Sequence, residues 1–273
     1  MCHPIIMEYV KGKALSRRDL FRGSAAAGAA IMASTALTTR PVMAAAATKV
    51  VDLTYTLTPD FPTYFGTQQF FDEDVFTYAE NSFNLKEIRV NEHTGTHIDA
   101  PLHFTDGGAS IDEVPVESLV CPLVVVDIRE KADANPDAQI TPDDLKAWIS
   151  ANGPIPDGAA VIQNAGWQKH MGTAKFRNAD DDKKMHFPAF HVEAAKMLLE
   201  EAQVAGIGVD TLSIDYGLSA DFITHYTWLP ANRWALENIA NLDQVPASGA
   251  TLVIGAPKHQ GGTGGPCRLI ALV

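Results

Sequence analysis

His93-Thr94-Gly95-Thr96-His97-Ile98-Asp99-Ala100-Pro101-Leu102-His103-Phe104 sets three imidazoles and one carboxylate within eleven residues, all at odd-numbered positions. On a helix His93 and His97 would share a face, but Asp99, two residues on, would be turned away by about 200°. Gly95, the two threonines, Ile98 and Pro101 also disfavour a helix. On a strand, side chains alternate with period two, so His93, His97 and Asp99 face one way. Gly95 lies between the two histidines on that face and leaves room for an ion. Ala100-Pro101 then turns the chain, and His103 comes beside the cluster without belonging to it. Neutral imidazoles with a carboxylate are ligands of borderline divalent ions, zinc and manganese among them. The plainer reading is a polar strand whose histidines satisfy one another. Three imidazoles and an aspartate at face-matched spacing weigh against it.

Outward from this stretch, the chain has two parts. Residues 1–46 read as an export signal rather than part of the fold. Ser16-Arg17-Arg18-Asp19-Leu20-Phe21 is a twin-arginine motif, an alanine-rich apolar run follows from Gly23 to Leu37, and Ala44, Ala45 and Ala46 offer a cleavage site. The apolar run is too short for a membrane span, which needs about 20 apolar residues. Such signals are receptor-read addresses of bacteria, so the expected location is the periplasm. Residues 47–273 are enough for one domain with a sizeable core.

The full chain of 273 residues carries a formal charge of −12, and the signal is its basic end. The remainder is more acidic still, which argues against nucleic acid or an anionic membrane as partner and leaves a small molecule. Cys2 falls in the signal. Cys121 and Cys267 form no CxxC pair and read as two buried thiols.

Along residues 47–273, strands are expected at 50–55, 85–91, 122–128, 159–163, 251–256 and 268–273, with a strand and loop over 207–215. Helices are expected from Thr141, with proline at its first position and early acids, to a stop at Gly153, and over 192–205. Residues 59–80 are aromatic without clear periodicity; Phe65 and Phe71 are candidate walls of an aromatic pocket. Residues 180–184 read as a solvated loop. The sum is a single mixed α/β domain. No G-x-S-x-G elbow is present, so no serine nucleophile is indicated.

The opening stretch resembles the signature of the cyclase family of metal-dependent hydrolases, His-x-Gly-Thr-His-x-Asp-x-Pro-x-His, whose members include kynurenine formamidases and isatin hydrolases. Every fixed position is present. More weakly, residues 208–215 resemble the family's Gly-Ile-Asp-Thr-x-Ser-x-Asp stretch, residues 236–242 its Glu-Asn-Leu-x-Asn-Leu stretch, and Pro266-Cys267-Arg268 its closing Pro-x-Arg. The resemblance implies a swivelling β/β/α fold. It also implies one or two zinc or manganese ions, with His93, His97 and Asp99 on one and Asp99, His225 and Glu237 on the other. His225 and Glu237 keep the family's spacing of twelve; alone, they would read as a surface histidine and a helix cap.

The resemblance assigns His103 to general acid/base work, which imidazole chemistry suits. His191, Ser213 and Trp167 are weaker candidates near the substrate. The implied reaction is hydrolysis of a small amide or cyclic amide by metal-activated water, in a homodimer or higher oligomer. N-formylkynurenine and isatin are the candidate substrates, although an exported enzyme fits an environmental cyclic amide, lactone or ester better. The alternatives are a periplasmic metal- or ligand-binding module without catalysis, and a metal-assisted cyclase or dehydratase.

Overall fold

The protein is described here by a computed structural model covering residues 49–273; the export signal read over residues 1–46 lies outside the described residues. In chain order the strands are β1 (Val50–Asp52), β2 (Phe70–Phe76), β3 (Leu85–Val90), β4 (His97–Asp99), β5 (Val120–Asp127), β6 (Gln139–Ile140), β7 (Ala160–Asn164), β8 (Ala189–Phe190), β9 (Gly206–Gly208), β10 (Trp234–Glu237), β11 (Ala250–Gly255), β12 (Gly264–Pro266) and β13 (Arg268–Leu272). The α-helices are α1 (Tyr78–Asn81), α2 (Arg129–Ala134), α3 (Pro142–Asn152), α4 (Val192–Glu201) and α5 (Ile223–Trp228).

Nine strands form one mixed sheet in the order β1-β13-β11-β5-β7-β9-β10-β4-β12. Its centre, β5-β7-β9-β10, is parallel, and both flanks are antiparallel. The run Leu123-Val124-Val125-Val126 shows why β5 is central. Leu123 and Val125 enter one core with Val51, Ile98 and Leu236, while Val124 and Val126 enter the other with Trp148 and Leu198. A strand buried on both faces reads as a continuous apolar run, not an alternating one.

α3 and α4 cover the second face. The Thr141 N–H and hydroxyl both donate to the Asp144 carboxylate at 2.6 and 2.7 Å, and Pro142 opens the helix. α4 stops at Glu201, short of the expected 205. Gly158 donates to Gln203 O and Ala205 donates to Ala159 O, so residues 203–205 are drawn out beside the start of β7 and lead into β9. Cys121 and Cys267 are free and buried, as their spacing indicated. Among the described residues no helix is long and apolar enough to cross a membrane.

The expected strand through His93, His97 and Asp99 is shorter than its alternation implied. Only His97–Asp99 is extended. Gly95 has φ +70°, a left-handed conformation that breaks the strand before His97. His97 and Asp99 therefore share a face by strand geometry, whereas His93 reaches them from a bend.

Candidate metal centre

β4 is the base of the site. In its antiparallel pairing with β10, His97 stands opposite Glu237 and Asp99 opposite Ala235. Directly opposed residues project on the same side of a sheet, so the register brings Glu237 to His97 across 140 positions of sequence. Glu237 is thus the last residue of a buried strand, not a helix cap.

His225 arrives on α5. The Asp215 carboxylate accepts the Thr224 N–H at 2.8 Å, the His225 N–H at 3.0 Å and His225 Nδ1–H at 2.6 Å. One side chain therefore caps the helix and orients the ring. Asp215 sits in a stretch carrying a family resemblance, but nothing in its spacing revealed this role.

The donor atoms converge. Asp99 Oδ1 lies 2.6 Å from His93 Nδ1 and 3.3 Å from His97 Nε2, while Oδ2 lies 3.5 Å from His225 Nε2. Glu237 Oε2 is 3.3 Å from His97 Nε2, and Oε1 is 3.4 Å from His225 Nε2. Each carboxylate thus turns one oxygen to His97 and the other to His225. His97, Asp99 and Glu237 form one fully buried trio of donors, and His93, Asp99 and His103 form a second in which only Asp99 is buried.

Apart from the 2.6 Å His93–Asp99 contact, which is a hydrogen bond, these distances of 3.3–3.5 Å fit an ion better than they fit hydrogen bonds. Charge-assisted N–H···O contacts run about 2.7–2.9 Å, whereas donors about 2.1 Å from a tetrahedral centre stand about 3.4 Å apart. His97 Nε2 and Asp99 Oδ2 are buried and have no hydrogen-bond partner, a costly state for polar atoms unless something else binds them. The remaining ring nitrogens are committed: His97 Nδ1 to Gly95 O at 2.9 Å, and His225 Nδ1 to Asp215. Such partners fix the tautomer of a ligating histidine. Electrostatics agree. Against the burial that disfavours its charge, Asp99 and Glu237 hold the His97 imidazole up at about 10. Asp99 is drawn well below the carboxylate range by the imidazoles despite its own burial.

His103 stands apart in behaviour. Its ring stacks on His93, centroids 3.7 Å apart and planes at 20°. Burial pushes its pKa down to about 4, opposed by Asp99 and Glu237. At neutral pH it is an uncharged ring facing the donors.

Above these groups opens a cavity of about 590 Å³, lined by aromatics including Phe61, Tyr64, Phe65, Phe104 and Phe222. Phe104 stacks on His225 at 4.5 Å. Ser213 also lines it. The other candidates do not. Phe71 lies on the β2–β3 hairpin with Arg89 over its ring. Trp167 is buried in a separate cluster and donates to Phe176 O. His191 accepts the Glu193 N–H at the start of α4.

A family model described as "Putative cyclase" matches residues 51–216. An isatin hydrolase from Roseibium aggregatum is 35% identical over 193 residues, covering 67% of this chain and 73% of that protein. A kynurenine formamidase from Salinibacter ruber is 29% identical over 191 residues, covering 70% of this chain and 81% of that one. The solved structure of isatin hydrolase A from Labrenzia aggregata, bound to benzyl benzoate, superposes with a TM-score of 0.77 at 37% identity. It covers 82% of this chain and 93% of its own.

Proposed function

This chain belongs to the cyclase family that includes isatin hydrolase and kynurenine formamidase, and from that membership we propose that it is a metal-dependent hydrolase of a small amide or cyclic amide. The observation that carries the reading is the convergence of five ionisable donors, with a neutral His103 beside them, at the floor of an aromatic-walled cavity.

His93, His97, Asp99, His225 and Glu237 would hold the metal, zinc or manganese, as one ion or as two that share Asp99. A bound divalent ion polarises a carbonyl and brings the pKa of a coordinated water toward about 7. The protein's own part is orientation and proton transfer. The aromatic walls hold an aryl amide with its carbonyl toward the donors and keep bulk water out. His103, uncharged, takes the proton of the attacking water; the imidazolium so formed is a strong acid in its buried setting and delivers that proton to the departing nitrogen. A binding module needs the donors but has no use for His103, and this residue favours an enzyme.

The test is elemental analysis of purified protein, giving metal per chain, together with turnover of isatin and N-formylkynurenine followed by absorbance with and without chelator. Chelator-sensitive loss of either absorbance is expected. Saturable metal binding without turnover on a broad amide and lactone panel would replace the hydrolase with the binding module.

Two further parts of the proposal concern the whole molecule. Export to the periplasm rests on Arg17 and Arg18, and replacing both with lysine should strand the protein in the cytoplasm. Association with a second copy is supported by the β2–β3 hairpin: no residue of either strand is buried, and Val75, Phe76, Leu85 and Ile88 are exposed on it. A lone two-stranded hairpin is marginal in water, so a covering copy would stabilise it. Sedimentation of the purified protein as a monomer would remove this part.

A further inference from the structure

One side chain at the centre is held differently from the others, and its holder lies outside the donor set. His97 and His225 each commit Nδ1 to a protein acceptor and turn Nε2 inward. His93 is reversed: Nδ1 faces Asp99, and Nε2 lies 2.9 Å from Thr263 Oγ1. Thr263 in turn lies 2.5 Å, oxygen to oxygen, from Glu92 Oε2.

The protons can be counted. Glu92 is ringed by donors: His259 Nε2 at 2.5 Å on Oε1, and the Thr263 N–H at 3.1 Å on Oε2. A carboxylate so held only accepts, and a 2.5 Å contact between two oxygens needs a proton between them. That proton is the single hydroxyl hydrogen of Thr263. The threonine oxygen then has only lone pairs to offer His93, so His93 Nε2 must be the donor. Nδ1 is the inward atom: at 2.6 Å from Asp99 Oδ1 it shares a proton with that carboxylate in the metal-free protein, and a bound ion would take that proton's place.

The backbone keeps this chain of contacts in register. Ala100 N–H donates to Thr263 O at 2.8 Å, and Gly264 pairs with Asp99. A Cβ on Gly264 would meet Ile98 O at 2.4 Å and His93 Cε1 at 2.9 Å.

We infer that Glu92 and Thr263 are positioning residues that set the tautomer of His93, so that it presents Nδ1 to the ion where His97 and His225 present Nε2. The inference rests on the metal-dependent reading above. Partners of this kind typically change metal affinity about 10- to 100-fold.

The test uses the full chain titrated with zinc(II) in competition with a chromophoric chelator, for wild type, Thr263→Val, Thr263→Ser and Glu92→Gln, with thermal unfolding of each metal-free protein alongside. A glutamine at position 92 cannot accept on both sides, so it too disturbs the threonine. Thr263→Val and Glu92→Gln should weaken zinc binding about 10- to 100-fold while metal-free melting stays close to wild type, and Thr263→Ser should restore the affinity. Long-range ¹H–¹⁵N NMR of zinc-loaded wild type, labelled at histidine, should place the His93 proton on Nε2. Wild-type affinity in both Thr263→Val and Glu92→Gln, or a His93 proton on Nδ1, overturns the inference alone. Absence of zinc binding by wild type overturns the metal-dependent reading and this inference with it.

Discussion

The His103 ring lies nearly flat against that of His93, centroids 3.7 Å apart, with Phe104 edge-on at 4.7 Å and His225 edge-on at 5.9 Å. Packing thus fixes the ring without a hydrogen bond to either nitrogen among the described residues, leaving both for substrate and water. Replacing His103 with alanine should lower kcat about 10²- to 10⁴-fold while bound metal per chain stays near wild type. Phenylalanine at this position keeps the stacking but carries no basic nitrogen, and should be as inactive as alanine. Recovery of turnover with phenylalanine would assign His103 a packing role instead.

Asp215 touches none of the inward-facing donor atoms, yet it holds Nδ1 of His225 and accepts the Thr224 and His225 N–H groups of α5. Asp215→Asn retains one oxygen but loses the charge behind the ring. Metal affinity should fall about 10- to 100-fold, more than activity falls when metal is supplied in excess. Chelator competition with zinc, read beside kcat at saturating metal, checks this; equal affinity in the two proteins would count against an orienting role.

At Gly264, β12 leaves no room for a side chain against β4: a Cβ there would stand 2.4 Å from Ile98 O. Backbone cannot yield as a flexible side chain can. Gly264→Ala should therefore cost about 1–3 kcal/mol, the usual range for overpacking, and should loosen the edge that carries Thr263. Urea denaturation of the metal-free protein measures the cost; an unchanged midpoint would mean the edge strand shifts freely.

What could be read in advance follows from where each partnership is made. The capped helix at Thr141 and the apolar run of β5 are local facts, visible within a dozen residues. So was the shared face of His97 and Asp99. The strands that complete the site were not. β12 is Gly264-Gly265-Pro266, a composition that disfavours a strand, and it is one only because β4 offers a partner. β10 is four fully buried residues with no alternation to detect. β2 is exposed on both faces and so has no hydrophobic period. His225 and Glu237 were picked out by family resemblance; their register with His97 is tertiary. Glu92, Thr263 and Asp215 act through contacts whose logic appears only once the sheet is assembled.

Asp210 is a buried acid that takes no part in the proposed chemistry, and it should leave a signature in the pH dependence of stability. Its carboxylate accepts the Trp167 N–H at 2.8 Å and the Ala165 N–H at 3.0 Å, tying the loop after β7 to that after β9. Burial nevertheless pushes its pKa up from 3.8 to about 6, with those N–H groups pulling the other way. A carboxyl raised on folding stabilises the folded state below its unfolded pKa, and that contribution is lost as pH rises through the folded value. The window is therefore about pH 4 to 6, and the full effect is on the order of 3 kcal/mol. Asparagine imitates the uncharged acid at every pH. Thermal unfolding of wild type and Asp210→Asn between pH 4 and 7 should show wild type losing stability relative to the variant as pH rises. Parallel curves would mean that the backbone donors keep Asp210 ionised throughout and that burial does not control it.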